Sequence, residues 1–114
     1  MLEVSCHCGA VTVSLPQLPD TYTECNCSIC RRYAAQWLYL GAEQVRIKAA
    51  KDEVVGYRWG DHEIEFCHCN VCGTITHYFS LPEQGNSRVA INGRLLPPEK
   101  LQALNRRKFD GAAM

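Results

Sequence analysis

The alternation of apolar and polar residues along the chain predicts a protein built mainly from β-strands. In residues 10–15 (Ala-Val-Thr-Val-Ser-Leu) apolar and polar side chains alternate, and Pro16 closes the run, as is typical of a half-buried strand. Gly60 and Asp61 lie between two such runs and indicate a hairpin. Further β-rich stretches cover residues 36–40, 45–48, 53–59, 62–66, 74–79 and 88–92.

Helical signals are few. One turn is predicted after Cys30, and a short helix over residues 98–104, where Pro98 occupies a favoured first-turn position. The chain has 114 residues and no linker rich in Gly, Pro or Ser, so we expect one domain over residues 1–114. The predicted fold is mainly β: small packed antiparallel sheets with one or two short helical turns.

Composition and charge exclude several classes of partner. Hydrophobic residues make up 46% of the chain and charged residues 21%, which is typical of a soluble globular protein. The formal net charge is zero, so nucleic acid is not an expected partner, and the basic residues 106–108 are interpreted as a solvated or salt-bridged surface patch. The sequence shows no export signal and no run of about 18 apolar residues, which predicts a cytoplasmic protein without a membrane span.

All eight cysteines fall in three short clusters, at residues 6–8, 25–30 and 67–72. Thiols that merely fill a core would be scattered, and a disulfide framework usually accompanies an export signal. In a reducing cytoplasm, clustered thiols indicate metal binding, and zinc is the ion that such thiolate sets favour.

Two of the thiols have the spacing of a tight metal-binding turn. Cys69 and Cys72 are separated by two residues, so a single turn of backbone can aim both sulfurs at one zinc ion. Gly73 follows directly and permits a positive φ, which allows backbone N–H groups to reach the sulfurs. Gly9 follows Cys8 in the same way.

The first cluster supplies a second pair. Cys6 and Cys8 are predicted at the start of the first strand, where residues two apart face the same side. We expect them to join Cys69 and Cys72 in a structural zinc site of four thiolates, which closes a long loop and links the two halves of the chain.

The middle cluster carries the expected chemistry. Cys25, Cys27 and Cys30 offer three thiolates in one loop, and three protein ligands with one open position are typical of a catalytic zinc. Such an ion can take a substrate thiol and lower its pKa. Arg31 and Arg32 follow directly and offer charges for a carboxylate on an anionic thiol, although a solvated or salt-bridged pair is the simpler interpretation.

Cys67 leaves a second interpretation open. If its thiol reached the middle cluster it would complete a fourth ligand, and the protein would be a non-catalytic, zinc-stabilised binding module. A single residue separates Cys67 from Cys69, which should hold its thiol near the other metal and favours a four-thiol site plus a three-thiol site. The histidines His7, His68 and His77 are interpreted as neighbours of ligands or as hydrogen-bonded core groups and not as ligands.

Four segments resemble a known family. Residues 5–11 (Ser-Cys-His-Cys-Gly-Ala-Val), 25–32 (Cys-Asn-Cys-Ser-Ile-Cys-Arg-Arg), 69–74 (Cys-Asn-Val-Cys-Gly-Thr) and 109–111 (Phe-Asp-Gly) are similar, in the same order, to motifs of the glutathione-dependent formaldehyde-activating (GFA) family, whose zinc domain is shared by centromere protein V. The resemblance implies a β-rich fold and a structural zinc from the first and third motifs. It also implies a catalytic zinc held by the middle motif, at Cys25, Cys27 and Cys30.

The resemblance further implies an activity. Members of the family are carbon–sulfur lyases that add glutathione to formaldehyde to give S-hydroxymethylglutathione, with zinc binding the reacting sulfur. The third motif here departs from the usual Phe-Cys-x-x-Cys-Gly, because His68 precedes Cys69 and Cys67 precedes that. The expected function is therefore carbon–sulfur lyase-like chemistry on a small thiol adduct, with glutathione as an example of the substrate.

Overall fold

The computed structural model describes residues 2–58, 64–80 and 88–113, which form ten strands and two short α-helices. The strands are β1 (Leu2–Ser5), β2 (Thr12–Leu15), β3 (Thr21–Cys25), β4 (Trp37–Gly41), β5 (Arg46–Lys48), β6 (Val54–Arg58), β7 (Ile64–Cys69), β8 (Ile75–Ser80), β9 (Arg88–Asn92) and β10 (Asn105–Phe109). The helices are α1 (Ser28–Tyr33) and α2 (Pro98–Gln102). Single 3-10 turns cover Ala42–Gln44, Gly93–Leu95 and Gly111–Ala113.

The strands form two sheets. A three-stranded sheet has the order β1-β2-β5, and a seven-stranded sheet has the order β10-β3-β4-β9-β8-β7-β6. Neighbouring strands are antiparallel except β10 and β3, which run parallel. The prediction of antiparallel sheets is therefore wrong for that pair. Strands β3 and β9 are both antiparallel to β4, so they run in the same direction. The connection from β9 to β10 passes through α2, and such a helical crossover lets β10 run in the direction of β9 and therefore parallel to β3.

The two faces of the large sheet bury different residues, because side chains alternate along each strand. In β4, Leu38 and Trp37 are both fully buried but belong to different clusters. One face packs with the small sheet around an aliphatic core made of Val4, Val13, Leu15, Leu38, Leu40, Val89, Ile91, Leu96 and Leu101. The other face buries Cys30, Ala35, Trp37, Phe66, Ile75 and Ala90. The middle cysteine cluster thus lies on the aromatic face, away from the small sheet.

The strands predicted from alternation are confirmed as β2 and β4 to β9, with ends that differ by a few residues at most. The antiparallel pairing of β6 with β7 agrees with the predicted hairpin, whose turn at Gly60 and Asp61 lies outside the described residues. The sequence pattern predicts none of β1, β3 and β10. In β10 all five side chains are exposed, so this strand has no apolar face to produce an alternation.

Both predicted helical regions are helical. The first begins at Ser28, before the predicted turn after Cys30, because the sulfur of Cys27 caps the helix by accepting a hydrogen bond from the backbone N–H of Cys30 (3.4 Å). It ends at Tyr33, and the next residue, Ala34, has a φ of 54° in the left-handed region. The second helix starts at Pro98 as predicted and is slightly shorter than expected.

Candidate metal centres

Two turns bring four thiols together. The sulfurs of Cys6, Cys8, Cys69 and Cys72 all lie within 4.8 Å of one another, and we call this set the four-thiol group. The sulfurs of Cys6 and Cys8 are 3.7 Å apart, and those of Cys8 and Cys69 are 3.6 Å apart. The fully buried Val11 packs against the group. The sequence-predicted pairing of the first and third clusters therefore agrees with the geometry.

The first pair sits in a turn and not at the start of a strand, so that part of the prediction is wrong. Residues 6–8 lie between β1 and β2, where the N–H of Cys6 donates to the carbonyl of Val11 (3.0 Å) and the N–H of Gly9 donates to the carbonyl of Cys6 (3.2 Å). Gly9 has a φ of 86°, a value that a residue with a side chain rarely adopts. The turn, and not strand alternation, therefore aims both sulfurs to one side.

The second pair is held by a similar turn. The N–H of Cys69 donates to the carbonyl of Thr74 (2.9 Å), and the N–H of Gly73 donates to the carbonyl of Cys69 (2.9 Å). Gly73 has a φ of 81°, as its place after Cys72 predicts. Both halves of the four-thiol group are thus Cys-rich turns closed by a glycine in the left-handed region.

Hydrogen-bond donors surround these sulfurs. Hydrogen bonds from the Thr74 hydroxyl and from backbone N–H groups lower the pKa of Cys72 to about 5. Backbone N–H groups that favour thiolates are a regular feature of thiolate metal sites. Backbone N–H groups also donate hydrogen bonds to the other three sulfurs: Val11 N to Cys6 Sγ (3.3 Å), Ala10 N to Cys8 Sγ (3.5 Å), Val71 N to Cys69 Sγ (3.3 Å) and Cys72 N to Cys69 Sγ (3.5 Å).

The middle cluster forms a second group at the end of β3 and the start of α1. The sulfurs of Cys25, Cys27 and Cys30 lie within 4.8 Å of one another, and we call this set the three-thiol group. Burial raises the pKa of Cys25 and of Cys30. Burial also acts to raise the pKa of Cys27, but hydrogen bonds, led by the N–H of Cys30, outweigh it and lower that pKa overall. A bound cation would offset the cost of ionising all three thiols together.

A buried donor lies beside this group. Trp37 is fully buried, and its indole Nε1 is the one buried side-chain nitrogen or oxygen without a hydrogen-bond partner in the described part of the chain. Trp37 shares a buried cluster with Cys30, and while burial raises the pKa of that thiol, the indole N–H acts to lower it. A thiolate at Cys30 would satisfy this donor, so the surroundings of the three-thiol group fit a bound metal ion.

Aromatic rings extend from the indole across the face of the sheet. The rings of Trp37 and Tyr78 meet edge to face with centroids 4.7 Å apart, and Phe66 lies 5.1 Å from Tyr78. The hydroxyl of Tyr78 donates to that of Tyr39 (2.8 Å), and the guanidinium carbon of Arg88 lies 4.7 Å from the centre of the Tyr39 ring. Trp37 and Phe66 are both buried and belong to the cluster that also buries Cys30, so these rings form one wall beside the thiols.

An open cleft of about 540 Å³ borders the three-thiol group at Cys25 and Cys30. Three cationic side chains line it, from Arg31, Arg94 and Lys108. Arg32 lies outside this cleft and donates to the carbonyl of Ser28 (2.7 Å) at the start of its own helix. The two arginines after the middle cluster therefore have different surroundings, which adjacency in the sequence does not reveal.

Cys67 belongs to neither thiol group. Side chains alternate along β7, so Phe66 faces the aromatic side and Cys67 the opposite side of the sheet. The Cys67 sulfur lies 3.9 Å from the carbonyl oxygen of Glu65, and burial raises the pKa of this thiol to about 12. This placement favours one group of four thiols and one group of three, and it does not support Cys67 as a fourth ligand of the middle cluster.

Within the described residues, no histidine joins either group of thiols. His7 is exposed and His68 is half-buried. His77 is buried on β8, with Nδ1 2.8 Å from the hydroxyl of Thr76, which agrees with a hydrogen-bonded core histidine. The basic residues of β10 form an exposed patch as predicted, and Arg106 makes an ion pair with Glu24 at 3.9 Å.

The fold and the thiol groups define a small β protein with two candidate metal centres. The chain belongs to the family described as glutathione-dependent formaldehyde-activating enzyme, whose sequence model matches residues 1–104. The fold is similar to the crystal structure of a Rhodobacter sphaeroides protein solved as a structural-genomics target, with a TM-score of 0.74 and 24% identity over 93% of this chain and 100% of that one. No curated protein sequence matches the chain significantly. None of the described helices is long and apolar enough to cross a membrane.

Proposed function

We propose that this protein is a zinc-dependent carbon–sulfur lyase that acts on a small thiol adduct. The observation that carries this proposal is the three-thiol group, which opens onto a cleft and gains no fourth thiol from Cys67. The family description supplies the expected reactants, glutathione and formaldehyde. In that reaction the sulfur of glutathione forms a bond to the carbonyl carbon, and the thiol proton ends on the carbonyl oxygen, giving S-hydroxymethylglutathione without any redox change.

The two thiol groups have different proposed roles. The four-thiol group would hold a structural zinc, since four thiolates complete the tetrahedral preference of the ion. Cys25, Cys27 and Cys30 would hold the catalytic zinc, which when bound lowers the pKa of a substrate thiol so that its thiolate is available near neutral pH. The indole N–H of Trp37 would stabilise the thiolate of Cys30 within this set.

The charges of the cleft are suited to an anionic thiol. Among the described residues, no hydrogen bond or ion pair engages the side chains of Arg31 and Lys108, so both charges are available to a ligand. Both carboxylates of the cleft have partners: Glu24 accepts a hydrogen bond from Gln36 (2.9 Å), and Asp110 accepts one from Asn26 (2.9 Å).

Glutathione carries two carboxylates, which guanidinium and ammonium groups bind well. In the proposed enzyme, Arg31 and Lys108 orient the tripeptide so that its sulfur approaches the three-thiol group at the edge of the cleft.

The test is the rate of exchange between glutathione and S-hydroxymethylglutathione, measured by exchange NMR above the spontaneous rate. The zinc-loaded protein is expected to accelerate the exchange, and Cys27→Ser is expected to bind one zinc fewer and to lose the acceleration. Cys67→Ser is the matched control, because its thiol belongs to neither group, and it should keep both. If Cys27→Ser loses a zinc yet keeps full activity, the proposal is wrong.

A further inference from the structure

The C-terminal segment 105–113, which we call the clasp, lies against the loop that carries the three-thiol group. Its strand β10 pairs in parallel with β3, in a register that places Phe109 beside Cys25. The pairing continues past the end of β3, where the backbone N–H of Asn26 donates to the carbonyl of Phe109 (3.3 Å). The clasp lies after residue 104, the last residue matched by the family model, and it includes the Phe-Asp-Gly segment at residues 109–111.

The side chain of Asn26 joins the loop to the clasp at two further points. Its amide nitrogen donates to the carboxylate of Asp110 (2.9 Å), and its carbonyl oxygen accepts from the backbone N–H of Ala112 (2.9 Å). Asn26 lies between Cys25 and Cys27, so its backbone orientation sets the directions of both thiols. The two side-chain bonds therefore fix the segment of chain from which two of the three sulfurs project.

The clasp also lies against the sulfur of Cys25. A Cβ atom at Gly111 would lie 2.6 Å from this sulfur, closer than real Cβ atoms approach, and 3.0 Å from the Cβ of Cys27, which is a tight contact. Gly111 thus permits a close backbone approach that any other residue would prevent. This contact places the clasp beside the thiol of Cys25 and the backbone of Cys27, and not on a remote part of the loop.

The clasp contributes little to the core. All five side chains of β10 are exposed, so the strand buries little apolar surface, and its contacts are concentrated on β3 and the loop after it. We propose that Asn26 is a positioning residue through which the clasp sets the geometry, and hence the metal affinity, of the three-thiol group. This inference rests on the proposed role of that group as a metal centre. Residues that orient metal ligands typically contribute about 10- to 100-fold to affinity.

The chain offers a matched control in the other thiol group. Asn70 lies between Cys69 and Cys72, its side chain donates to the carbonyl of Asp52 (3.2 Å), and its backbone N–H donates to the carbonyl of Glu53 (2.8 Å). Asn26 and Asn70 therefore have equivalent places in the two centres. Replacing each by alanine should weaken only the centre in which it lies.

The experiment is a titration of the metal-free, reduced full-length chain with Co²⁺, whose thiolate charge-transfer bands distinguish a three-thiolate from a four-thiolate ion, followed by competition with Zn²⁺ against a chromophoric chelator. We expect Asn26→Ala and Asp110→Ala to weaken the three-thiolate ion about tenfold or more and to leave the four-thiolate ion unchanged. Asp110→Asn keeps an acceptor for Asn26 and should retain the native affinity. Asn70→Ala should give the reverse selectivity.

The outcomes separate this inference from the proposed function. If Asn26→Ala and Asp110→Ala leave both affinities unchanged, or weaken both ions equally, the clasp has no positioning role. Asp110→Ala alters one exposed side chain, so it tests the proposal even if Asn26→Ala does not fold. If Cys27→Ser still binds two ions, the metal centre itself is wrong and the proposed function fails with it.

Discussion

Trp37 buries an indole N–H that has no acceptor among the described residues, in the same cluster that buries the thiol of Cys30. A buried donor without a partner costs about 1–3 kcal/mol, and few such donors persist in folded proteins. The indole acts to lower the pKa of Cys30, against the larger effect of burial, so its natural partner is the thiolate form of that residue. Through this pair, the aromatic core favours the ionised form of one thiol of the three-thiol group.

The first prediction concerns this pair. Trp37→Phe keeps an aromatic ring but removes the N–H, so the loss of ring volume lowers the free energy of unfolding with or without metal. Only the metal-loaded protein also loses a charge-assisted hydrogen bond, and we expect its zinc affinity at the three-thiol group to fall about tenfold, or about 1.4 kcal/mol. Chelator competition measures this. Tyr78→Phe, which removes a hydroxyl that donates to Tyr39, should leave zinc affinity unchanged; an equal loss in both variants would contradict the prediction.

The second prediction concerns Cys67. Because this thiol is 2% exposed and burial raises its pKa to about 12, it should resist alkylation in the native protein even after metal is removed. The half-buried Cys72, whose pKa is lowered to about 5 by hydrogen bonds from Thr74 and from backbone N–H groups, should react under the same conditions. Peptide mapping by mass spectrometry after brief treatment with iodoacetamide gives the result, and urea-unfolded protein provides the fully labelled control. Rapid native labelling of Cys67 would show that this face of the sheet opens.

The third prediction tests the turn at Gly73. Its φ of 81° lies in the left-handed region and nothing lies within 4 Å of the position of a Cβ, so Gly73→Ala should cost only conformational energy, about 1–2 kcal/mol. Denaturant unfolding of the zinc-loaded protein measures the loss. Gly73→Asn should cost less, because asparagine adopts this region more readily. Equal costs for both variants would mean that steric strain, and not φ, determines the result.

The fourth prediction concerns pH. Burial lowers the pKa of His77 from 6.5 to about 4, with the Glu65 carboxylate acting weakly in the opposite direction. The unfolded chain therefore binds more protons between these values, so the stability supplied by neutral His77 is complete above about pH 6.5 and is lost as pH falls towards 4. The loss is on the order of 3 kcal/mol.

His77→Asn provides the control, since asparagine keeps a polar atom near the Thr76 hydroxyl but does not titrate. Acidification also releases metal from thiolates, so the quantity to measure is the difference in unfolding free energy between the native protein and this variant at each pH. That difference should shrink from pH 7 to pH 4. A constant difference over this interval would exclude His77 as the source.

The sequence predicts the pair Cys69 and Cys72 well because the turn that presents these two thiols is local. The spacing of Cys69 and Cys72 and the glycine after them define a turn, and the left-handed φ at Gly73 agrees with the structure. The predicted strand at Cys6 and Cys8 is wrong, because these residues lie in a hydrogen-bonded turn. A turn and a strand can both place residues two apart on one side, so the spacing does not distinguish them. The spacing within each pair therefore indicates which two thiols act together, but it does not reveal the backbone that presents them.

The clasp and the indole donor are not predictable in the same way. Nothing in the sequence around Asn26 indicates a role for its side chain. Its partners Asp110 and Ala112 lie far along the chain, so only the fold reveals them. Strand β10 carries an exposed polar sequence, and its parallel pairing depends on the path through α2. Burial of Trp37 follows from its apolar setting, but the absence of an acceptor for its N–H depends on three-dimensional packing.

The parallel pairing of β10 with β3 also sets the order in which the two centres can be completed during translation. Every thiol of the four-thiol group has been synthesised once residue 72 is added, before any part of the clasp exists. Cys25, Cys27 and Cys30 are made earlier, but the clasp that holds their loop is synthesised only after residue 104. If both groups bind metal as proposed, the four-thiol group can therefore close before the three-thiol group has its clasp.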